Sequence, residues 1–210
     1  MRLPTFEIIG CPGAIAIYKY TMETNLLWKA KEYPSLENCV HTIDATGSET
    51  RSVIVGMMEN KIFKVEYLIK TNAFWQTKYI EIKSRLADFN QSFSFHSDGK
   101  GNWKKNGLTV REWHGCIDVD LPLTPFTNTL PVNRLGLAKG ETQQIKVVYL
   151  DLLNQQIKPV VQKYTRISKN EYRYENVPND FEAAIRVDEV GLVISYPGLF
   201  ERVASTGSPI

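Results

Sequence analysis

The chain has 210 residues and is 43% hydrophobic, enough to bury a sizeable core as one large β domain or two small ones. Its formal net charge is +2 and its basic residues are scattered, so a nucleic-acid partner is not expected. No run of about 18 apolar residues occurs, so no transmembrane segment is expected either.

Near the N-terminus, Ile8-Ile9-Gly10-Cys11 superficially resembles a lipoprotein cleavage box. Pro4 and Glu7 interrupt the apolar run that a secretory signal needs, so a cytoplasmic protein without a signal peptide is expected. Cys11, Cys39 and Cys116 are odd in number and widely spaced, which reads as free thiols in a reducing compartment. Between Glu23 and Tyr33, Leu26, Leu27 and Ala30 fit a helical face about as well as Leu27 and Trp28 fit a strand, and periodicity does not choose.

From Ser52 the β signal strengthens. SVIVG is followed by KIFKVEYLIK, which puts Phe63, Val65, Tyr67 and Ile69 on one face and Lys64, Glu66 and Lys70 on the other. Thr71-Asn72-Ala73 is short enough for a hairpin, and Trp75 to Lys83 returns as a strand with Trp75, Thr77 and Tyr79 on one side. SFSFH alternates Phe93 and Phe95 against serines and His96. Asp98-Gly99-Lys100-Gly101 then turns the chain toward Trp103, and Asn106-Gly107 feeds a strand ending at Trp113.

The stretch from Trp113 to Leu137 organises the rest. Ile117, Val119 and Leu121 point one way from an extended backbone, and Cys116, Asp118 and Asp120 the other. Pro122, Pro125 and Pro131, with Thr124, Thr127, Asn128 and Thr129 between them, then force the chain out of the sheet. Thr124-Pro125 is a fair helix start, but Pro131 leaves room for only about two turns of roughly 3.6 residues, so a strand, a short helix or coil, and another strand are expected. Beyond Gly140, further strands are read in QQIKVVYLDLL, KPVVQKYTRI, EYRYENV, FEAAIRVD and GLVISYPGLF, and the small polar tail, residues 204–210, is expected to fray. Strand-like segments about every 8 to 12 residues, with no long helix, predict an all-β, mainly antiparallel sheet that is closed or rolled on itself. With no repeat or composition shift, a single domain over residues 1–210 is expected.

GCIDVDLPLTPFTNTLPVNRL, preceded by SDGKGNW and followed by VVQKYTRI, EYRYEN and VDEVGLVISYPGLFERV, closely resembles the bacterial family named "putative glycolipid-binding". The resemblance runs from about Val53 to Val203, and residues 1 to about 22 fit it poorly. It implies a spiral β-roll, a many-stranded sheet wrapped around one helix, found as a homodimer and similar in shape to periplasmic lipoprotein carriers. It also implies a glycolipid or other amphiphile as partner.

Read for chemistry directly, Asp118 and Asp120 on one face need cations or donors to answer them. Either they pair with a cation or cap the amides around Thr124 to Asn128, or they join Asn128 and Arg134 in binding the hydroxyls of a polar head group. Rings with polar edges at Trp75, Tyr79, Trp103, Trp113, Tyr164, Tyr172, Tyr174 and Tyr196 suit a sugar or glycerol as well as a core, and Gln162 is an isolated polar residue among apolar ones. The ligand-binding candidates are therefore Trp75, Trp103, Asp118, Asp120, Thr124, Asn128, Arg134, Gln162, Tyr164 and Tyr196, with the acyl part lying inside the roll. No cofactor, metal or catalytic residue is assigned, because Walker, GxSxG and CxxC patterns are missing from the sequence. Two alternatives stay open. One is a metal-assisted hydrolase using His114, Cys116, Asp118 and Asp120, although donors about 6.5 to 7 Å apart along one strand make a poor cage. The other is a structural dimer whose roll is completely filled.

Overall fold

The computed structural model describes residues 21–207 apart from Asp88 and Asn179. Cys11 and the cleavage-box question lie outside them. The first eight strands are β1 (Met22–Ala30), β2 (Ser35–Asp44), β3 (Gly47–Met58), β4 (Lys61–Asn72), β5 (Thr77–Leu86), β6 (Phe89–Ser97), β7 (Trp103–Lys105) and β8 (Leu108–Thr109). A 3-10 turn (Arg111–Trp113), β9 (Asp118–Asp120) and α1 (Phe126–Leu135) follow. The chain ends with β10 (Thr142–Asp151), β11 (Gln156–Ser168), β12 (Glu171–Val177), β13 (Glu182–Val187), β14 (Val193–Tyr196) and β15 (Phe200–Thr206).

All fifteen strands form one sheet. β1 to β8 make a meander out to one edge, β9 forms the other edge, and the halves join where β15 pairs with β1. The sheet is not closed, since β8 and β9 do not pair. Its curl nevertheless brings β6 to the turn after β10, where Gln91 Nε2 donates to the Leu152 carbonyl at 3.1 Å. Every neighbouring pair is antiparallel except β9 and β10. Parallel neighbours need a long crossover connection, and α1 with its flanks is that connection. The helix therefore lies inside the curve because the chain must reverse between β9 and β10.

Alternation makes the inner face. Leu26, Cys39, Ser52, Tyr67 and Ile82 stand opposite one another across β1 to β5 and all are buried. Phe126 and Leu130 of α1 are fully buried in the same cluster. The space the roll encloses is thus occupied here by the helix and large side chains.

Several local expectations change. The ambiguous segment from Glu23 is β1, with Thr24, Leu26, Trp28 and Ala30 buried at period two. α1 runs straight through Pro131 to Leu135, where a strand is expected. An interior proline costs about 3 kcal/mol, and burying Phe126 and Leu130 stabilises by roughly 1.5–3 kcal/mol each, which offsets it. Gly136, at φ 56°, then ends the helix in the left-handed conformation. Trp75 sits in a turn at φ 59° and not on a strand. A register shift between Lys70 and Thr71 leaves Lys78 as an extra residue, so the buried positions switch from Thr77 to Ile80 and Ile82. Trp113 belongs to the 3-10 turn. Ala204, Ser205 and Thr206 extend β15 against Leu27, Leu26 and Asn25, because ladder pairing needs backbone groups and not apolar side chains.

Candidate functional site

β9 is short, yet its two carboxylates have separate fates. Asp118 is fully buried and takes a bidentate contact from Arg134, with Nε at 3.0 and 3.1 Å and Nη2 at 2.6 Å. Arg134 reaches it from the last turn of α1, so this pair ties the crossover helix to the edge strand. Burial raises the Asp118 pKa, and the Arg134 guanidinium pulls it back down.

Asp120, two residues on, is answered among the described residues only by neutral donors. Gln162 Nε2 approaches Oδ2 at 2.6 Å and Thr127 Oγ1 donates to Oδ1 at 3.1 Å. Burial raises its pKa against those two hydrogen bonds. Asp120 lies in a pocket of about 530 Å3 between the β9–α1 corner and β11, β12 and β14. Thr124, Asn128 and Gln162 form the inner end and are all buried. Asn128 Oδ1 is buried with no hydrogen-bond partner among the described residues. Thr124 is held by its Oγ1 accepting the Phe126 N–H at 3.0 Å.

Tyr149, Tyr174, Tyr196 and Phe200 make the walls. Tyr174, Phe181 and Tyr196 touch one another with centroid separations of 6.1 Å for Tyr174 to both others and 6.2 Å between Phe181 and Tyr196. Burial and then Asp120 push the Tyr149 phenol up to about 12. Tyr174 and Tyr196 are raised further, mainly by burial. All three phenols stay protonated at neutral pH. The outer lip has an apolar stretch, Val177 at 41% and Phe181 at 38% exposure beside Val160 and Leu199, next to the charged Lys158 and Asp180.

Of the residues picked from sequence, Asp120, Thr124, Asn128, Gln162 and Tyr196 come together here. Tyr164 lies behind the wall, 5.4 Å from Tyr174 between ring centroids. Asp118 and Arg134 are spent on each other. Trp75 and Trp103 are elsewhere: Trp75 stacks on His41 at 5.6 Å, and Trp103 Nε1 donates to the Cys116 carbonyl at 2.7 Å. Tyr149, Tyr174, Phe181 and Phe200 were not picked. Pairing KPVVQKYTRI with EYRYENV as a hairpin would have signalled Tyr174, since it stands opposite Tyr164, and Asn176 stands opposite Gln162.

The proposed metal strand does not form. Residues 111–117 turn instead of extending, so His114 is exposed and contacts Asn102 at 3.0 Å while Cys116 is buried. Among the described residues no group of three or more His, Cys, Asp or Glu could hold a metal.

A second polar cluster escaped the sequence reading. Glu37, 3% exposed on β2, accepts from Ser52 Oγ and Tyr67 Oη, each at 2.7 Å. Tyr67 Oη also lies 3.4 Å from Thr124 Oγ1, which links the cluster to the pocket. Burial pushes the Glu37 carboxyl up to about 7 against hydrogen bonds from Tyr67, Thr124 and Ser52.

Fold and pocket together define an open, rolled antiparallel sheet with a ligand-sized cleft beside its crossover helix. Residues 25–202 match the family described as "Putative glycolipid-binding", and the chain belongs to that family. A crystal structure of a DUF1089 family protein from Pseudomonas aeruginosa is similar at 30% identity and a TM-score of 0.74, covering 80% of this chain and 92% of that one. A β-barrel-like protein of the DUF1849 domain from Brucella abortus aligns at 8% identity and a TM-score of 0.48, covering 93% of this chain and 100% of that one. No curated protein matches the chain. Among the described residues no helix is long and apolar enough to cross a membrane.

Proposed function

We propose that the protein binds or carries an amphiphile of the glycolipid kind without reacting with it, the polar head held in the pocket at Asp120, Asn128 and Gln162. Asn128 carries the argument: its buried Oδ1 lacks a donor, and a ligand hydroxyl or amine would supply one. The volume falls within the roughly 300–1,000 Å3 of small-molecule sites. At about 30 Å3 per water-sized group, 530 Å3 holds roughly 18 such groups, a sugar ring and the first carbons of a chain but not a long acyl chain as well. The tail therefore leaves over Val160, Val177, Phe181 and Leu199 instead of running through the roll, where α1 and the core side chains occupy the space. The family description supports the ligand class.

Native mass spectrometry of protein purified without detergent tests it. Retained lipid mass is expected, reduced in an Asn128→Leu variant and in a Phe181→Ser variant. Bare polypeptide mass, together with no calorimetric uptake of any alkyl glycoside, would sink the proposal.

A further inference from the structure

Charge at the pocket does not balance. Asp118 and Arg134 neutralise each other, but among the described residues Asp120 has only Gln162 and Thr127, both neutral. No cationic side chain is among the groups that shift its acidity. At the rim, Lys158 and Asp180 contribute one charge of each sign. One carboxylate is left over in a partly closed space walled by aromatic rings. A buried ion without a counter-ion is costly, which is why burial raises the Asp120 pKa, and a cation seated beside it would favour the charged carboxylate.

Three classes of head group can be compared on these terms. A phosphate or sulfate would add a second negative charge beside Asp120 and offer no donor to Asn128 Oδ1. A neutral sugar could donate hydroxyls to Asn128 and to Asp120 but would leave the carboxylate's charge without a counter-ion. A protonated amine supplies donors to both oxygens, and the faces of Tyr174 and Tyr196 attract a cation within about 6 Å of a ring centre. Resting on the amphiphile reading above, we infer that the head group carries a protonated amine seated between Asp120 and Asn128, as in an amino-sugar lipid. Asp120 then sets specificity, and the tyrosine wall holds the sugar ring.

The test is calorimetry on the full chain with probes of one tail length below their micellar concentrations: octyl glucosaminide, octyl glucoside and octyl phosphate, with free glucosamine as the tail-less control. The amine-bearing probe should bind at least about tenfold more tightly than the glucoside, a difference of about 1.4 kcal/mol, and the phosphate most weakly. Asp120→Asn, which keeps an acceptor oxygen and the volume, should bring the amine-to-neutral ratio near one. Should that variant not fold, the ratio measured on the unaltered chain still decides. Equal or tighter binding of the glucoside or the phosphate overturns the amine inference and leaves the amphiphile reading standing. Free glucosamine binding as tightly as its octyl derivative supports the amine and overturns the amphiphile. No binding by any probe overturns both.

Discussion

Replacing Glu37 with Gln asks whether desolvation governs a carboxyl group that is 3% exposed on the inner face of β2. Its pKa is raised from 4.5 to about 7, first by burial, with the hydroxyls of Tyr67, Thr124 and Ser52 pulling the other way. A carboxyl whose folded pKa lies above its unfolded value contributes its stability fully below the unfolded value, and that stability is lost as pH rises through the folded one. With each unit worth 1.36 kcal/mol, raising the pH from 5 to 8 should cost the native chain about 2.5 kcal/mol through this group. His41 acts in the opposite sense. Burial lowers it to about 4, so its contribution is lost as pH falls from 6.5 through 4. Because His41 is present in both chains, the Glu37→Gln comparison cancels it. Gln keeps one oxygen for Ser52 and Tyr67, so the two proteins should be similar at pH 5, and the variant should gain on the native chain as pH rises. Urea unfolding at both pH values, read by tryptophan fluorescence, measures the difference. Profiles that run parallel within about 1 kcal/mol would show that burial does not hold the proton on Glu37.

Asp118→Asn should cost about 3–5 kcal/mol, because it strands the mostly buried Arg134 guanidinium. Adding Arg134→Met should restore much of that loss in the same unfolding assay, whereas a single variant within about 1 kcal/mol of the native chain would count against a tight pair. Trp103 and Trp113 are both buried, but only Trp103 has a hydrogen-bond partner for its indole N–H. Trp103→Phe should therefore destabilise by about 1–3 kcal/mol more than Trp113→Phe, and equal melting shifts would refute that. Cys39 and Cys116 are buried thiols raised by desolvation, Cys116 to about 11. In a Cys11→Ser background neither should react with Ellman's reagent until denaturant is added, and rapid native labelling would contradict their burial.

Much of the sheet was legible from side-chain alternation. Lys61 to Asn72 shows Phe63, Val65, Tyr67 and Ile69 buried in register, as the period of two demands. The hydroxyl-rich insert was legible too, since its prolines force the chain out of the sheet ahead of a helix. Alternation cannot read what a strand does when both of its faces are covered. Asp118 and Asp120 share a face, and their difference comes from what α1 and β11 bring to each: a guanidinium for one, an amide and a hydroxyl for the other.

The sequence by itself indicated that β4 to β6 and the strands after Gly140 extend and that Thr124-Pro125 is a fair helix start, and it offered ten ligand-binding candidates, of which Asp120, Thr124, Asn128, Gln162 and Tyr196 meet in one pocket. Local composition and period encode such choices because backbone geometry acts over a few residues. Only the tertiary structure decided that the roll's interior is occupied by Phe126, Leu130 and their neighbours, that the cleft lies beside the crossover helix, and that Asp120 meets no cation among the described residues. Those outcomes depend on strands more than forty positions apart, such as Asp120 and Gln162. Their meeting is set by how the sheet curls, which no window of sequence contains.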